Sequence, residues 1–261
     1  MEETRQNLKI SGSGSCGGGI YDEVKISGSG TINGDIDCNI LRSSGASSIN
    51  GNLKAKEIKC SGSSCVKGNV ETEIMEISGS SDIKGSLTAE EARISGSSDI
   101  AEDARVKKLR ISGSSDIKGN LYGEEIKVSG GIKIEKDCEC ESFSATGKFE
   151  IKGLLNADEI DIEPFGRCRV REIGGRMINI RFSSNHGGFI TQFVKNMFVG
   201  SKSLITDSIE GDEIYLEGTT AKIVRGTNIT IGEGCNIEKV EYIGEFKVIN
   251  GGMVQNEVKI I

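Results

Sequence analysis

"ISGSSDIKGNL" at residues 111–121 returns as "ISGSSDIKGSL" at 77–87 and as "ISGSSDIAEDA" at 94–104. A Ser-Gly or Thr-Gly pair begins at 11, 27, 44, 61, 78, 95, 112, 129 and 146, with one interval of 16 and seven of 17 residues. A tenth copy is placed at 163 as "EP". Seventeen residues are too few for two helices and a turn, and they suit one coil of a β-solenoid.

Let position 1 be the residue before each pair. Position 1 then runs Ile10, Ile26, Ser43, Cys60, Ile77, Ile94, Ile111, Val128, Ala145, Ile162. Position 7 runs from Cys16 and Ile32 through Ile151 to Cys168 and is apolar or Cys throughout. Position 11 starts at Ile20 and ends at Glu172, and position 16 runs from Leu41 to Met177. Inward positions alternate with outward ones, which is the period of a strand. Gly at positions 3 and 9 breaks the run, because Gly tolerates positive φ and suits a bend. Three short strands and three corners per coil predict a three-sided parallel β-helix, an all-β fold. Parallel crossovers are overwhelmingly right-handed, so the expected coil is right-handed. Outward serines such as Ser78, Ser80, Ser95, Ser97, Ser112 and Ser114 are expected to line one flank as polar ladders.

The pattern divides the chain into three parts. Residues 8–182 read as a regular β-helix of about ten 17-residue coils. Residues 183–203 read as an insertion, and 204–261 as shorter, less regular coils. Within the insertion, Phe189, Ile190, Phe193, Val194, Met197 and Phe198 fall on one side of a short amphipathic helix. Between 165 and 202, five Arg and two Lys stand against Glu172 alone. That is a net +6, leaving −13 for the rest of a chain of net charge −7. Arg167, Arg169, Arg171, Phe189, Phe193, Lys195 and Phe198 are therefore candidates for contact with an anionic membrane surface or a partner. The alternative is that the helix packs on the solenoid and the arginines are a solvated flank.

The acidic balance argues against a nucleic-acid binder. The opening "MEETRQNLKI" is polar and does not read as a secretory signal, and no run of 18 apolar residues suggests a membrane span. A cytoplasmic protein with its eight Cys as thiols is expected, peripheral to the inner face of the cell membrane if the basic region engages it. The lone His186 leaves no multi-histidine site, and it falls in a loop beside Gly187 and Gly188. Most Cys fall at inward positions, where a free thiol packs as a small hydrophobe, while Cys65 points outward. "GSGSCG" at 12–17 matches a dinucleotide fingerprint but lacks the strand–turn–helix setting that gives it meaning. No catalytic set, metal site or cofactor site is expected.

The repeated "ISGSSDIKGNL" coils, with "SINGNLKAKEIK" at 48–59, resemble the bactofilins, polymer-forming bacterial cytoskeletal proteins. The stretch 209–242 is similar to the tail of longer members of that family found in Firmicutes. The resemblance implies a right-handed triangular β-helix that assembles end to end into non-polar filaments without nucleotide, often at the membrane, as a scaffold for client proteins. A solenoid end carries unpaired backbone groups over an apolar core. Leu8 and Ile10 at one end, and Val258 and Ile260 at the other, are the expected end-to-end contacts. The function expected is a non-enzymatic, self-assembling scaffold. Two alternatives stand beside it: a monomeric membrane-surface adaptor, and a solenoid acyltransferase suggested by the six-residue spacing of Ile231 and Ile237.

Overall fold

The computed structural model describes residues 5–182 and 203–260, and the chain forms two compact units, residues 1–124 and 125–261. Among the described residues there is no helix, and successive strands within each unit pair in parallel. The architecture is the expected β-solenoid.

Residues 77–94 illustrate a coil of the first unit. In strand Ser80–Ile83, Ser81 and Ile83 are buried. In strand Leu87–Ile94, Leu87 and Ala89 are buried, Glu90 and Glu91 both face outward, and Ala92 and Ile94 are buried again. That double outward step is a bend inside an unbroken ladder. Each coil thus has three straight runs, as the sequence predicts.

The register holds at 17 residues through these coils: Ser80 pairs with Ser97 and Ser97 with Ser114, while Ile83, Ile100 and Ile117 follow in line. Ile77, Ile94 and Ile111 stack likewise and are at most 2% exposed. Each buried Ile contributes about 1.5–3 kcal/mol, but only because a like residue covers it from the next coil.

The glycines at the first corner have a different cause from the one expected. Gly79, Gly96 and Gly113 are not among the positive-φ residues. A Cβ on Gly96 would lie 1.9 Å from the Gly79 oxygen, and one on Gly79 would lie 2.0 Å from the Gly62 oxygen. Close approach of backbones, not a left-handed turn, excludes a side chain. The second corner is held by side chains. Asn52 N–H donates to Asp35 Oδ1 at 2.7 Å, Asn69 N–H to Asn52 Oδ1 at 2.9 Å and Ser86 N–H to Asn69 Oδ1 at 2.9 Å. Asn120 N–H repeats this with Asp103 Oδ1 at 2.8 Å.

Two stretches depart from a strict count of 17. Gly19 pairs with Ile36 and Ile20 with Asp37, so Ile20 points outward and is 54% exposed. In the second unit, Val170 rather than Cys168 pairs with Ile151, Ile173 rather than Glu172 with Leu155, and Ile178 rather than Met177 with Ile160. Two residues enter at the Pro164–Gly166 corner and one is given back at a register shift further along. Ile173 and Ile178 are consequently buried and Met177 is 42% exposed. Cys168 stays buried, one step earlier in the coil.

The second unit is built from longer strands, among them Lys148–Ile162, Arg167–Ile180, Ser203–Leu216 and Thr219–Ile231. Arg167–Ile180 pairs directly with Ser203–Leu216, so the stack is continuous across the intervening residues. Ile214 then pairs with Ile229, a step of 15, and Ala221 with Ile237, a step of 16. Phe143 and Phe149 fill the interior edge to face, with ring centroids 5.7 Å apart. The expected amphipathic helix, with Phe189, Phe193, Lys195 and Phe198, lies outside the described residues, as does His186.

Candidate functional site

The residues expected to make contacts fall into three groups: those of the first strand, those of the last, and an arginine-bearing face. Strand Gln6–Ile10 pairs with Ser13–Ile26, matching Leu8 to Val24 and Ile10 to Ile26. Leu8 and Ile10 are half-buried there. A Cβ on Gly12 would meet nothing within 4 Å, unlike its counterparts in later coils. Among the described residues, no carbonyl row crowds this side.

Strand Met253–Lys259 pairs with Asn236–Tyr242 and with no later strand among the described residues. Among the described residues, its outer row of N–H and C=O groups meets no further strand. Val258 and Ile260 are each 44% exposed, and Ile243, Val248 and Met253 are more exposed still. Large apolar side chains at an open edge have the chemistry of an unfinished core. Tyr242 and Phe246 pack nearby with rings 5.2 Å apart.

Arg167, Arg169 and Arg171 are exposed on strand Arg167–Ile180, while Cys168 and Val170 between them are buried. The three guanidinium groups therefore share one face. Arg171 Nε lies 3.2 Å from Glu172 Oε1.

Cysteine chemistry is subdued. All eight cysteines are free thiols, and Cys38, Cys60, Cys138, Cys168 and Cys235 are buried. Burial pushes the Cys38 thiol up to about 12, with Asp37 adding to the effect, and burial lifts Cys235 to about 11. Cys138 is held well above the ordinary thiol range by its hydrogen bond with Cys140 and then by burial. Such groups stay protonated, whereas the nucleophile is the thiolate. Among the described residues no group of three or more His, Cys, Asp or Glu could hold a metal ion. Many outward carboxylates are taken up in ion pairs. Glu135 accepts hydrogen bonds from Lys133 and Lys152, which lowers its pKa to about 2.

Two features escaped the sequence reading. The Asp35–Asn52–Asn69 ladder was legible as a column of Asn and Asp directly after the position-9 glycine. The buried serines Ser47, Ser81, Ser98 and Ser115 were not, because serine ordinarily signals an outward position.

The comparisons with known proteins agree with this architecture. Residues 3–88 match the family model "Bactofilin", described as polymer-forming cytoskeletal. The match falls on the first coils of the 17-residue repeat. The uncharacterized protein YhbF of Bacillus subtilis is 40% identical over 78 residues, 28% of this chain and 27% of that protein. The uncharacterized protein YhbE of the same organism is 36% identical over 95 residues, 36% of this chain and 38% of that protein. The chain spans well under half the length of these curated relatives. No solved structure matches. Among the described residues, no helix is long and apolar enough to cross a membrane.

Proposed function

We propose that the chain is a non-enzymatic cytoplasmic scaffold that assembles end to end into polymers and presents its flanks to client proteins. The observation that carries this reading is strand Met253–Lys259, whose outer edge meets no further strand among the described residues, with Val258 exposed on it and Ile260 exposed just after it. A strand edge over apolar side chains is completed at least cost by more of the same structure. The polymer-forming description of the matched family supports it. Leu8 and Ile10 on the first strand are half-buried and contribute through their backbone as much as through their side chains. The acyltransferase alternative loses ground, since the coils around Ile231 and Ile237 step by 15 to 17 residues rather than by multiples of six.

Electron microscopy and light scattering of the purified chain test the proposal. Filaments are expected from the wild type, and short or single particles from a Val258→Asp, Ile260→Asp double substitution. A wild-type chain that stays monomeric over a wide range of concentration and salt overturns it.

A further inference from the structure

Ile-Asn-Gly occurs three times in the chain, at 32–34, 49–51 and 249–251. An Asn before Gly carries a latent reaction: the next backbone nitrogen can attack its side-chain amide, and Gly has no Cβ to obstruct the approach. The three copies share the same residue on either side of Asn, so the fold decides which of them reacts. Two copies are clamped. Asn33 lies within strand Ser29–Ser43, and Asn50 ends strand Ala46–Asn50. Asn50 Nδ2 donates to Asn33 Oδ1 at 2.8 Å, which ties the two side chains together across neighbouring coils. A Cβ on Gly51 would lie 2.5 Å from the Gly34 carbonyl carbon, so the backbones are pressed together as well.

The third copy forms the turn between strands Phe246–Val248 and Met253–Lys259. Asn250 has φ 52° and Gly251 φ 80°, and Gly252 N–H donates to Ile249 O at 3.1 Å, which are the signs and the closure of a type I′ turn. Asn250 is the one residue other than Gly with positive φ among the described residues. Asn250 and Gly251 are both exposed. Among the described residues, neither the Asn250 side chain nor Gly251 N–H has a hydrogen-bond partner. A Cβ on Gly251 would meet nothing within 4 Å, so the space around its nitrogen is open on that side. One hydrogen bond closes the turn, and breaking it frees Asn250 to rotate its amide carbon towards Gly251 N.

We propose that Asn250–Gly251 is a site of self-deamidation. Gly251 N gives up its proton and attacks Asn250 Cγ. The new C–N bond replaces the bond to the side-chain nitrogen, which leaves with that proton as ammonia. One water molecule then opens the cyclic imide at either carbonyl, giving Asp or β-linked isoaspartate at 250. The sum is Asn plus water to Asp plus ammonia, with no oxidant and no cofactor. The product carries a new negative charge, and its β-linked form lengthens the main chain by a carbon. The 17-residue step holds on both sides of the turn, from Ile231 to Val248 and from Asn236 to Met253, so position 250 is in register with Glu233. Like charges in register repel. Charge and length are thus added at the corner that delivers strand Met253–Lys259 to the stack, which disfavours continuing the stack beyond it. That consequence rests on the scaffold reading, while the modification does not.

The experiment is ageing of the full folded chain in mildly alkaline buffer, which favours loss of the backbone proton, followed by tryptic digestion and mass spectrometry. Cleavage after Lys and Arg releases the three copies on separate peptides, 26–42, 43–54 and 248–259. Conversion at Asn250 is expected to outrun conversion at Asn33 and Asn50 by roughly tenfold, the factor for one ordinary hydrogen bond that must first be broken. Fragmentation of the peptide assigns the new acid to position 250. In urea the three copies should convert alike, since only the fold distinguishes them. Asn250→Gly keeps a residue suited to positive φ and should leave no deamidation at 250. Equal conversion of the three copies in the folded chain, or an equal lead for Asn250 in urea, overturns the proposal. Electron microscopy of aged samples tests the consequence: the wild type should form fewer filaments than Asn250→Gly. Equal assembly by the two removes only the effect on the stack. Absence of filaments from fresh protein overturns the scaffold reading, and the mass measurement still decides the modification.

Discussion

Replacing Gly96 by Ala tests the principle on which the coils stack. The new Cβ would lie 1.9 Å from the Gly79 oxygen and 2.6 Å from the Ser78 oxygen. A relaxed carbon–oxygen contact is roughly 3.3 Å, so the two coils must part by about 1.4 Å at this corner. That parting strains the hydrogen bonds Ser97 N–H to Gly79 O, now 2.9 Å, and Gly96 N–H to Ile77 O, now 3.2 Å. Overpacking costs about 1–3 kcal/mol, and each lost hydrogen bond adds about 1 kcal/mol. Stiffening of the unfolded chain by Ala returns less than about 1 kcal/mol. The expected net loss is about 3 kcal/mol, or roughly 6–12 °C in Tm for a unit of this size. Thermal unfolding followed by circular dichroism measures it. Gly12→Ala is the control, because a Cβ there meets nothing within 4 Å. If Gly96→Ala melts with the wild type, or Gly12→Ala loses as much, close backbone approach is not what keeps this column glycine.

Other perturbations follow from the same geometry. Asn69→Ala removes the acceptor for Ser86 N–H and should lower the urea midpoint by an amount equivalent to about 1 kcal/mol, while Asn69→Asp should be tolerated, since Asp35 and Asp103 do the same work. Glu135, whose pKa is lowered to about 2 from 4.5 by Lys133 and Lys152, contributes stability present above 4.5 and lost as pH falls towards 2. Glu135→Gln should flatten the pH dependence of unfolding in that window, and an unchanged profile would contradict the bridge. A thiol reagent should modify Cys16, Cys65 and Cys140 in the folded protein and reach the five buried cysteines only after denaturation. Gly12→Ala should leave the melt unchanged. It should nevertheless block any polymer in which another chain adds a parallel coil before residue 12, because Gly28 already meets the Gly12 oxygen at 2.2 Å from its Cβ position.

Much of the fold was legible because an all-or-none constraint writes itself repeatedly. Ile83, Ile100 and Ile117 must match in shape, so the chain spells them alike. The reading failed where the count was carried through an extra residue. In a strand, one added residue turns every following side chain to the other face. Ile20, Glu172 and Met177 were therefore given inward positions that Gly19, Ile173 and Ile178 hold. The buried serines were missed for a different reason, since their position depends on where the first corner releases the chain. Of the candidate contact residues, Val258 and Ile260 were readable as apolar residues in and just after the last strand.

The Asn and Asp ladder has a direction. Asn52 donates its backbone N–H back to Asp35, Asn69 to Asn52 and Ser86 to Asn69, always from the later coil to a side chain of the earlier one. The glycines obey the same sense, each leaving room for the carbonyl of the coil before it. A ribosome delivers about 5–20 residues per second, so a new coil emerges roughly every one to three seconds. Each finds its acceptor already in place on the growing stack. Synthesis and templating then run the same way, and the nascent chain can be laid down coil by coil.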